Sequence, residues 1–281
     1  MQKVRPGTTE EAALQSDLIF DIGLHEGQDT EFYLKKGFRV VAVEADEDHC
    51  KAVAEKFADA VADGRLTIVN KALAKEAGTV TFYKSAFSVW STLDPEFDKR
   101  NRRQGMETTL CEVEATTMAD LLQEFGVPYY IKLDIEGLDV VALQGLRFSN
   151  ELPAYISMES EKDSFRALRR EFEILEGLGY DEFKIVPQQR VWRQQPPRPA
   201  LEGVYVPHRF EKGSSGMFGE EAPGQWMSSE EAIEKYKRVF LRYVLVGDDP
   251  YVPKWAEFIF RYGMGIRNGW YDTHARIGAK A

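Results

Sequence analysis

The chain has 281 residues, 43% of them hydrophobic, and this length allows two domains or one large α/β domain with a sizeable core. Its 36 basic and 46 acidic residues give a formal net charge of −10, which disfavours general electrostatic attraction to nucleic acid or an anionic membrane surface and favours a neutral or cationic small substrate. Two cysteines favour a reduced cytoplasmic setting, and the longest apolar run has four residues where a membrane-spanning helix needs about 20, so we expect neither an anchor nor a signal peptide.

Predicted strands and helices alternate along the first two thirds of the chain. Unbroken apolar or β-branched runs predict strands at residues 18–21, 39–44, 66–69, 79–83, 129–134 and 154–159. Apolar residues at spacings of three and four predict helices over residues 30–36, 50–61, 117–125 and 165–178. This alternation is typical of an α/β fold with a doubly wound, mainly parallel sheet, in which ligands bind beyond the carboxyl ends of the strands.

The composition changes in the last third of the chain. Residues 187–228 contain six prolines together with aromatic residues, which predicts short regular structure. We interpret this segment as a lid over the strand ends in which Trp226 contacts the substrate; the alternative is a peripheral loop packed only for stability. Ser228 and Glu231 form a capping-box signature that predicts a helix after it. We therefore expect a ligand-binding core in residues 1–186, and a lid segment with a C-terminal helical extension of the same domain in residues 187–281.

Glycines mark the turn between the first predicted strand and helix. The segment reads Asp21-Ile-Gly-Leu-His-Glu-Gly27, and its glycines let the backbone approach a ligand closely. Glu44 ends the next strand 23 residues after Asp21, near the offset of about 20 at which an acid binds ribose hydroxyls. The glycine spacing differs from the G-x-G-x-x-G of nicotinamide sites and so argues against a dehydrogenase. A tight turn with only a structural role is the alternative.

Polar residues also follow three later strands. Asn70 and Ala72 follow the third strand, where an amide and a small residue suit a purine, although an ordinary strand-to-loop transition has the same pattern. The alternation of the strand at 129–134 and the residues after it places three charged side chains on one side, namely Lys132, Asp134 and Glu136. Glu159 ends the following strand. These charges indicate a site at the strand ends or, alternatively, a structural ion pair of Lys132 with a carboxylate.

Three blocks of the sequence resemble the FkbM-type S-adenosylmethionine-dependent methyltransferases. They are LIFDIGLHEGQDTEFYLKKGFRVVAVEAD, the NKAL at residues 70–73, and YYIKLDIEGLDVVALQGL, and the resemblance extends more loosely through residues 213–226 and 270–275. It implies a class I methyltransferase fold with Rossmann-like topology and S-adenosylmethionine as the cofactor. It also implies, as the typical reaction, O-methylation of a hydroxyl group on a sugar or natural product.

The resemblance further implies roles for single residues. By analogy, Asp21, Gly23 and Gly27 hold the methionine end of the cofactor, Glu44 its ribose, and Asn70 with Ala72 the adenine side. His25 and Thr30, in the same turn and helix start, are counted with the cofactor-binding residues. Asp134 and Glu136 match the D-x-E-G motif beside the reactive methyl group. This chain departs from many members in having Leu24-His25 where they have Ala-Asn after the first glycine.

Methyl transfer to a hydroxyl group requires alignment of the acceptor and removal of its proton. The candidate general bases are His25, Asp134, Glu136 and Glu159, and Asp134 is the first choice for a site role, either as the base or as a residue that binds the cofactor. The remaining histidines have no partner at ligand spacing, so no metal is expected. The sequence thus predicts an O-methyltransferase for a small hydroxylated metabolite, without nucleic-acid or membrane partners. The alternatives are a small-molecule N-methyltransferase and a non-catalytic cofactor-binding scaffold protein.

Overall fold

The computed structural model describes residues 13–85, 91–103, 105–135, 137–161, 164–247, 252–264 and 269–278. In chain order the elements are β1 (Leu14–Ile22), α1 (Gln28–Lys35), β2 (Arg39–Val43), α2 (Glu47–Lys56), α3 (Ala58–Ala62), β3 (Leu66–Val69), β4 (Ala72–Leu73), β5 (Gly78–Ser85), α4 (Pro95–Arg103) and β6 (Thr108–Thr116). They continue with α5 (Met118–Phe125), β7 (Val127–Leu133), α6 (Asp139–Gly145), β8 (Tyr155–Glu159), α7 (Phe165–Leu178), β9 (Glu182–Pro187), α8 (Ser229–Val246), α9 (Lys254–Phe258) and β10 (Tyr271–Arg276).

The main sheet has seven strands in the order β3-β2-β1-β7-β8-β10-β9. The strands from β3 to β8 pair in parallel, whereas β10 runs antiparallel to both β8 and β9. Residues 18–22 of β1 are all buried, as expected for a strand that is covered on both faces. The doubly wound, mainly parallel sheet is therefore confirmed. Its strand order reverses between β1 and β7, and such a switch point is where α/β sheets bind ligands.

A second, three-stranded sheet has the order β4-β6-β5. Residues 79–83, which we expected among the strands of the main series, lie in β5 and pair antiparallel with β6. The physical reason is visible in their sequence: TVTFY alternates polar and apolar side chains, which suits a half-exposed antiparallel strand better than a doubly covered parallel one. The elements that were not predicted from the sequence include β4, α4, β6, α6, β9 and β10.

Helix boundaries follow local capping signals. Thr117 caps α5 through a capping box with Asp120, and Ser228 caps α8 through the predicted capping box with Glu231. The predicted helix over residues 165–178 coincides with α7. The helix predicted over residues 50–61 is divided at Phe57, where a φ of −117° and a ψ of 35° leave the helical region and separate α2 from α3.

Residues 187–228 pack along the α1 side of the main sheet. The Phe218 ring stacks on Tyr130 of β7, with ring centroids 4.8 Å apart and planes at 13°, and meets Tyr33 of α1 edge-on. Lys36, just after α1, forms a fully buried ion pair with Glu221 at 2.9 Å. The part of this segment around Phe218 and Glu221 is thus a layer of the core. Only its tip, residues 212–215, and Gln188 line the cavity described below, so the lid interpretation applies at most to the tip.

Trp226 lies apart from that cavity, contrary to our expectation that it contacts the substrate. Its indole N–H donates to Glu220 at 3.0 Å, and its ring packs against Tyr155 and lies under the charged ends of Lys184 and Arg276. These contacts give Trp226 a role in packing. Among the helices that the structure describes, none combines the length and the hydropathy needed to cross a membrane.

Candidate active site

A cavity of about 530 Å³ opens at the carboxyl ends of the central parallel strands. Gly23 after β1, Glu44 after β2, Asp134 after β7 and Glu159 at the end of β8 all line it. The volume lies in the range of about 300–1,000 Å³ that is usual for small-molecule sites. The switch point of the sheet therefore carries a cavity of the right size for a ligand.

Glu44 is held in place by backbone amides from both sides. Its Oε2 accepts a hydrogen bond from the N–H of His25 at 2.9 Å, and its Oε1 accepts one from the N–H of Asp46 at 2.8 Å. Asn70 supports the same turn by donating to the backbone carbonyls of Glu44 and Ala45, at 3.0 and 3.3 Å. A carboxylate has about four acceptor positions, so Glu44 keeps capacity for two ligand hydroxyl groups.

Gly23 lies where the ends of β1 and β7 come together. Its φ is +94°, and a Cβ built on it would lie 2.0 Å from the backbone oxygen of Asp134. The N–H groups of Gly23 and Leu24 both donate to the carbonyl of Val43, at 3.0 and 3.2 Å. The absence of a side chain at residue 23 thus permits a close approach between protein strands, in addition to exposing backbone to the cavity.

A buried lysine lies beneath the cavity floor. Lys132 is 4% exposed, and its Nζ donates to the carbonyl of Gly23 at 3.0 Å. The same Nζ lies 3.3 Å from Asp21 and 3.5 Å from both Asp29 and Asp134. Burial lowers the pKa of Lys132, but the three carboxylates outweigh it and hold this pKa well above its ordinary value. The lysine is therefore a fixed positive charge that organises the acids around it.

The acids of this cluster differ in exposure. Asp21 is fully buried and accepts a hydrogen bond from the Thr30 hydroxyl at 2.6 Å, and burial raises its pKa. Burial also raises the pKa of Asp29 to about 6, and both its carboxylate oxygens accept from the backbone N–H of Ser215, at 2.9 and 3.0 Å. The side chain of Asp134 is 40% exposed. Asp134 is thus the member of the cluster that a ligand can reach most directly.

His25 lies on the Glu44 side of the cavity. It has a φ of +48°, and its ring centroid is 4.6 Å from that of His49 on α2. Burial and the neighbouring His49 lower the pKa of His25, so its imidazole is neutral at pH 7. Its position beside the predicted ribose acceptor favours a role in cofactor binding over a role at the reacting methyl group.

The structure brings some of the predicted site residues to the cavity and leaves others behind its wall. The residues that line it are Gly23, His25, Glu44, Ala72, Asp134 and Glu159. Behind the wall, Asp21 and Thr30 form the buried cluster, Asn70 supports the Glu44 turn, and a Cβ on Gly27 would face Phe57 and Val53 of α2. Glu136 lies outside the described residues, so its role stays a prediction.

Residues 21–182 match the family model described as the Methyltransferase FkbM domain. The match covers more than half of the chain. The chain belongs to this FkbM methyltransferase family. It is therefore an S-adenosylmethionine-dependent methyltransferase, as the sequence resemblance implied. A search of curated proteins gives no significant match.

A comparison with solved structures matches several methyltransferases at low sequence identity and low TM-score. A SAM-dependent methyltransferase from Archaeoglobus fulgidus is 13% identical, with 93% of this chain and 86% of that chain covered and a TM-score of 0.38. The O-methyltransferase TomG from Streptomyces achromogenes, involved in tomaymycin synthesis and solved with SAM, is 14% identical, with 62% and 67% covered and a TM-score of 0.34. A putative rRNA-methylase from Clostridium thermocellum is 12% identical, with 62% and 78% covered and a TM-score of 0.35.

The residues of this FkbM methyltransferase fit S-adenosylmethionine. Glu44 offers acceptors for a ribose diol, and Ala72 with Leu73 gives a small apolar wall beyond it, on the side of β3. Asp134 and Glu159 give the other end of the cavity negative charge, which complements a sulfonium. When bound, this cofactor supplies an activated methyl group. In the part of the chain that the structure describes, no group of three or more His, Cys, Asp or Glu side chains is arranged to hold a metal ion.

Sequence reasoning missed part of the FkbM enzyme's cavity wall. The missed polar and aromatic lining residues include Asp29, Thr92, Gln188, Lys212, Ser214, Ser215, Trp270 and Asp272. Most of them lie in the Pro/Gly-rich segment or next to β10, and both regions are far from the first strands in sequence. The lid interpretation of residues 187–228 covered Gln188, Lys212, Ser214 and Ser215 only as a segment, and the family resemblance covered Asp29, Trp270 and Asp272 without singling them out.

Proposed function

We propose that this FkbM methyltransferase transfers a methyl group to a hydroxyl oxygen of a small metabolite, sugar or natural product. The observation that carries the proposal is Asp134, whose carboxylate lines the cavity, is 40% exposed and lies 3.5 Å from the Lys132 ammonium. A hydroxyl acceptor must lose its proton as the new bond forms, and a positioned carboxylate is a group that accepts such a proton. A general base of this kind contributes a factor of about 10²–10⁴ to the rate.

The chain's own residues have two tasks in this proposed reaction, orientation of the acceptor and removal of its proton. An acceptor oxygen held about 3–3.5 Å from the methyl carbon recovers about 7–11 kcal/mol of the barrier. Lys132 binds Asp134 from the buried side, so the carboxylate keeps a fixed direction while its exposed edge faces the cavity. Glu159 lines the same cavity from the next strand and is the second candidate base.

The experiment that tests this proposal follows the methyl group itself. The protein is incubated with S-adenosylmethionine carrying a ¹³C-methyl group and with a panel of small alcohols, sugars, phenols and amines. Carbon NMR of the product then separates a methyl ether from a methylamine. We expect turnover with hydroxyl acceptors and an ether signal. A methylamine signal alone supports the N-methyltransferase alternative. S-adenosylhomocysteine binding without any transfer over the panel supports the scaffold alternative.

We also propose that the enzyme works in the cytoplasm on a free small molecule, without a nucleic-acid or membrane partner. The net charge of −10 supports the absence of an anionic partner, because like charges repel. The two free cysteines, Cys50 and Cys111, support a reducing compartment. Gel-shift and vesicle-flotation assays at low salt test the first point, with binding in either assay as the contradicting result.

A further inference from the structure

Three polar residues form one corner of the cavity at the end of the sheet that β8, β10 and β9 build. Glu159 of β8 and Asp272 of β10 are direct cross-strand partners. Gln188 follows β9, and its backbone N–H donates to the carbonyl of Trp270 at 3.1 Å, next to the start of β10. All three side chains line the cavity. Sheet pairing therefore places two acids and an amide together, away from the Glu44 side.

Gln188 presents an unused hydrogen-bond acceptor there. Its side chain is 96% buried, and its Nε2 donates to Asp272 Oδ2 at 2.6 Å and to the carbonyl of Ser215 at 3.2 Å. These two bonds fix the orientation of the amide. Its Oε1 is buried and has no hydrogen-bond partner among the described residues. Buried acceptors without a donor are rare in folded proteins, and such an atom at a cavity wall indicates a donor on a ligand.

Asp272 adds a buried carboxyl group at the same corner. It is 6% exposed, and within the described part of the chain no Lys, Arg or His lies at ion-pair distance from it. The charged groups that face it are Glu159 of β8, Lys132 of β7, Asp134 directly after β7, and Asp29 of α1. Burial and then the neighbouring acids hold the pKa of Asp272 well above its ordinary value. A positive ligand group beside Asp272 would stabilise the ionised form of its carboxyl group.

We propose that Asp272, Gln188 and Glu159 form a subsite that binds an ammonium group of a ligand. An ammonium donates up to three hydrogen bonds and accepts none, which matches a corner that offers two carboxylates and an amide oxygen. A neutral hydroxyl group would satisfy Gln188 Oε1 but would not stabilise the ionised form of Asp272. Trp270, which lines the cavity beside the subsite, adds an aromatic surface of the kind that attracts cations.

Two ligands of this enzyme can bring an ammonium group to the subsite. One is the amino-acid end of the cofactor, and this source depends only on the assignment of the chain to the methyltransferase family. The other is an amine-bearing acceptor, and this source rests on the proposed function. The chemistry is the same in both cases, and two binding experiments distinguish them.

The first experiment compares S-adenosylhomocysteine with 5′-methylthioadenosine, which lacks the amino-acid end, by calorimetry on the wild type and on Asp272→Asn. If the cofactor supplies the ammonium, the affinity for S-adenosylhomocysteine falls about tenfold or more while that for 5′-methylthioadenosine is unchanged. The matched control is Glu171→Gln, because Glu171 is an equally buried acid that does not line the cavity. Circular dichroism and thermal unfolding check that each variant folds. If Asp272→Asn does not fold, Gln188→Met tests the same subsite.

The second experiment uses enzyme saturated with S-adenosylhomocysteine and compares glucosamine with glucose. If the acceptor supplies the ammonium, glucosamine binds the wild type at least tenfold more tightly than glucose, and Asp272→Asn removes this preference. The proposal is overturned if Asp272→Asn changes neither S-adenosylhomocysteine affinity nor glucosamine preference, or if it weakens S-adenosylhomocysteine and 5′-methylthioadenosine equally. Failure of O-methylation in the isotope experiment leaves these binding results intact, so the two failures are distinguishable.

Discussion

Glu44 shows how one side chain can organise both a turn and a binding site. It accepts hydrogen bonds from the N–H groups of His25 and Asp46, which fixes its carboxylate at the cavity wall. We predict that Glu44→Ala weakens S-adenosylhomocysteine binding by about 1.5–3 kcal/mol, or roughly 10- to 150-fold, because a ribose loses its charged acceptor. Calorimetry measures the change. Glu44→Gln separates the effects, since it keeps one amide-accepting oxygen for the turn but removes the charge. An affinity of Glu44→Ala within twofold of wild type would contradict the assignment.

Asp134 is the residue on which the proposed chemistry depends. Asp134→Asn removes the carboxylate with almost no change in volume, so we predict that cofactor and acceptor still bind while the chemical step slows by about 10²–10⁴-fold. Single-turnover kinetics with saturating S-adenosylmethionine, and an acceptor from the isotope screen, measure that step. His25→Asn is the comparison, because His25 lies beside Glu44 and is expected to change cofactor affinity more than the chemical step. A wild-type rate for Asp134→Asn would move the general base to Glu159.

Between β1 and β7, the packing of elements depends on the absence of one side chain. A Cβ at residue 23 would lie 2.0 Å from the Asp134 carbonyl, and the φ of +94° adds backbone strain. We predict that Gly23→Ala lowers the free energy of unfolding by about 2–5 kcal/mol. The left-handed backbone conformation accounts for about 1–2 kcal/mol of this loss, and overpacking by the added Cβ accounts for about 1–3 kcal/mol. Urea unfolding measures it. Gly64→Ala is the matched control, because Gly64 has a φ of +76° but no atom within 4 Å of an added Cβ.

The control should lose only about 1–2 kcal/mol. Equal losses for Gly23→Ala and Gly64→Ala would show that the clash has no energetic consequence. The sequence alone predicts that Gly23 is a position of close approach to a ligand. The structure adds an approach to the neighbouring strand, which a single sequence could not reveal because the partner, Asp134, lies 111 residues away in the chain.

Elements with strong local signals were predictable, and those that depend on tertiary pairing were not. The helix over residues 165–178 has a continuous apolar face and a Ser164 cap, so its bounds follow from the sequence. In contrast, β10 inserts between β8 and β9 from the far end of the chain. Its sequence YDTHAR places Asp272, Thr273 and His274 in buried positions, where polar side chains give no apolar signal. Pairing with two neighbouring strands stabilises this segment as a strand.

At the scale of the whole molecule, the site residues at the ends of the parallel strands were predictable from the sequence. The site residues that later segments of the chain contribute were not. The positions of Gly23, Glu44 and Asp134 follow from the rule that parallel strands end at one edge of the sheet. Gln188 and Asp272 reach the same cavity only because residues 187–228 and β10 fold back onto that sheet. Composition correctly marked residues 187–228 as irregular, but it could not show that Phe210 and Phe218 complete the core.

The packing of Phe218 makes the role of residues 187–228 testable. This ring is fully buried, stacks on Tyr130 and packs edge-on against Tyr33 and Phe38. We predict that Phe218→Ala lowers the free energy of unfolding by about 3–5 kcal/mol, as truncation of a buried aromatic residue does in a close-packed core. Trp192→Ala in the same segment is the control; its 53% exposure predicts a change within about 0.5 kcal/mol.

Chemical denaturation measures the free energy of unfolding of both variants, fitted with one common dependence on denaturant concentration. Calorimetry with S-adenosylhomocysteine measures the ligand affinity of the folded proteins. A core layer predicts a large loss of stability for Phe218→Ala at nearly unchanged affinity, because Phe218 supports the sheet from behind the cavity. A movable lid predicts the reverse, since a lid contributes contacts to the ligand and few to the fold. A loss below about 1 kcal/mol together with weakened ligand binding would therefore return the whole segment to the lid interpretation.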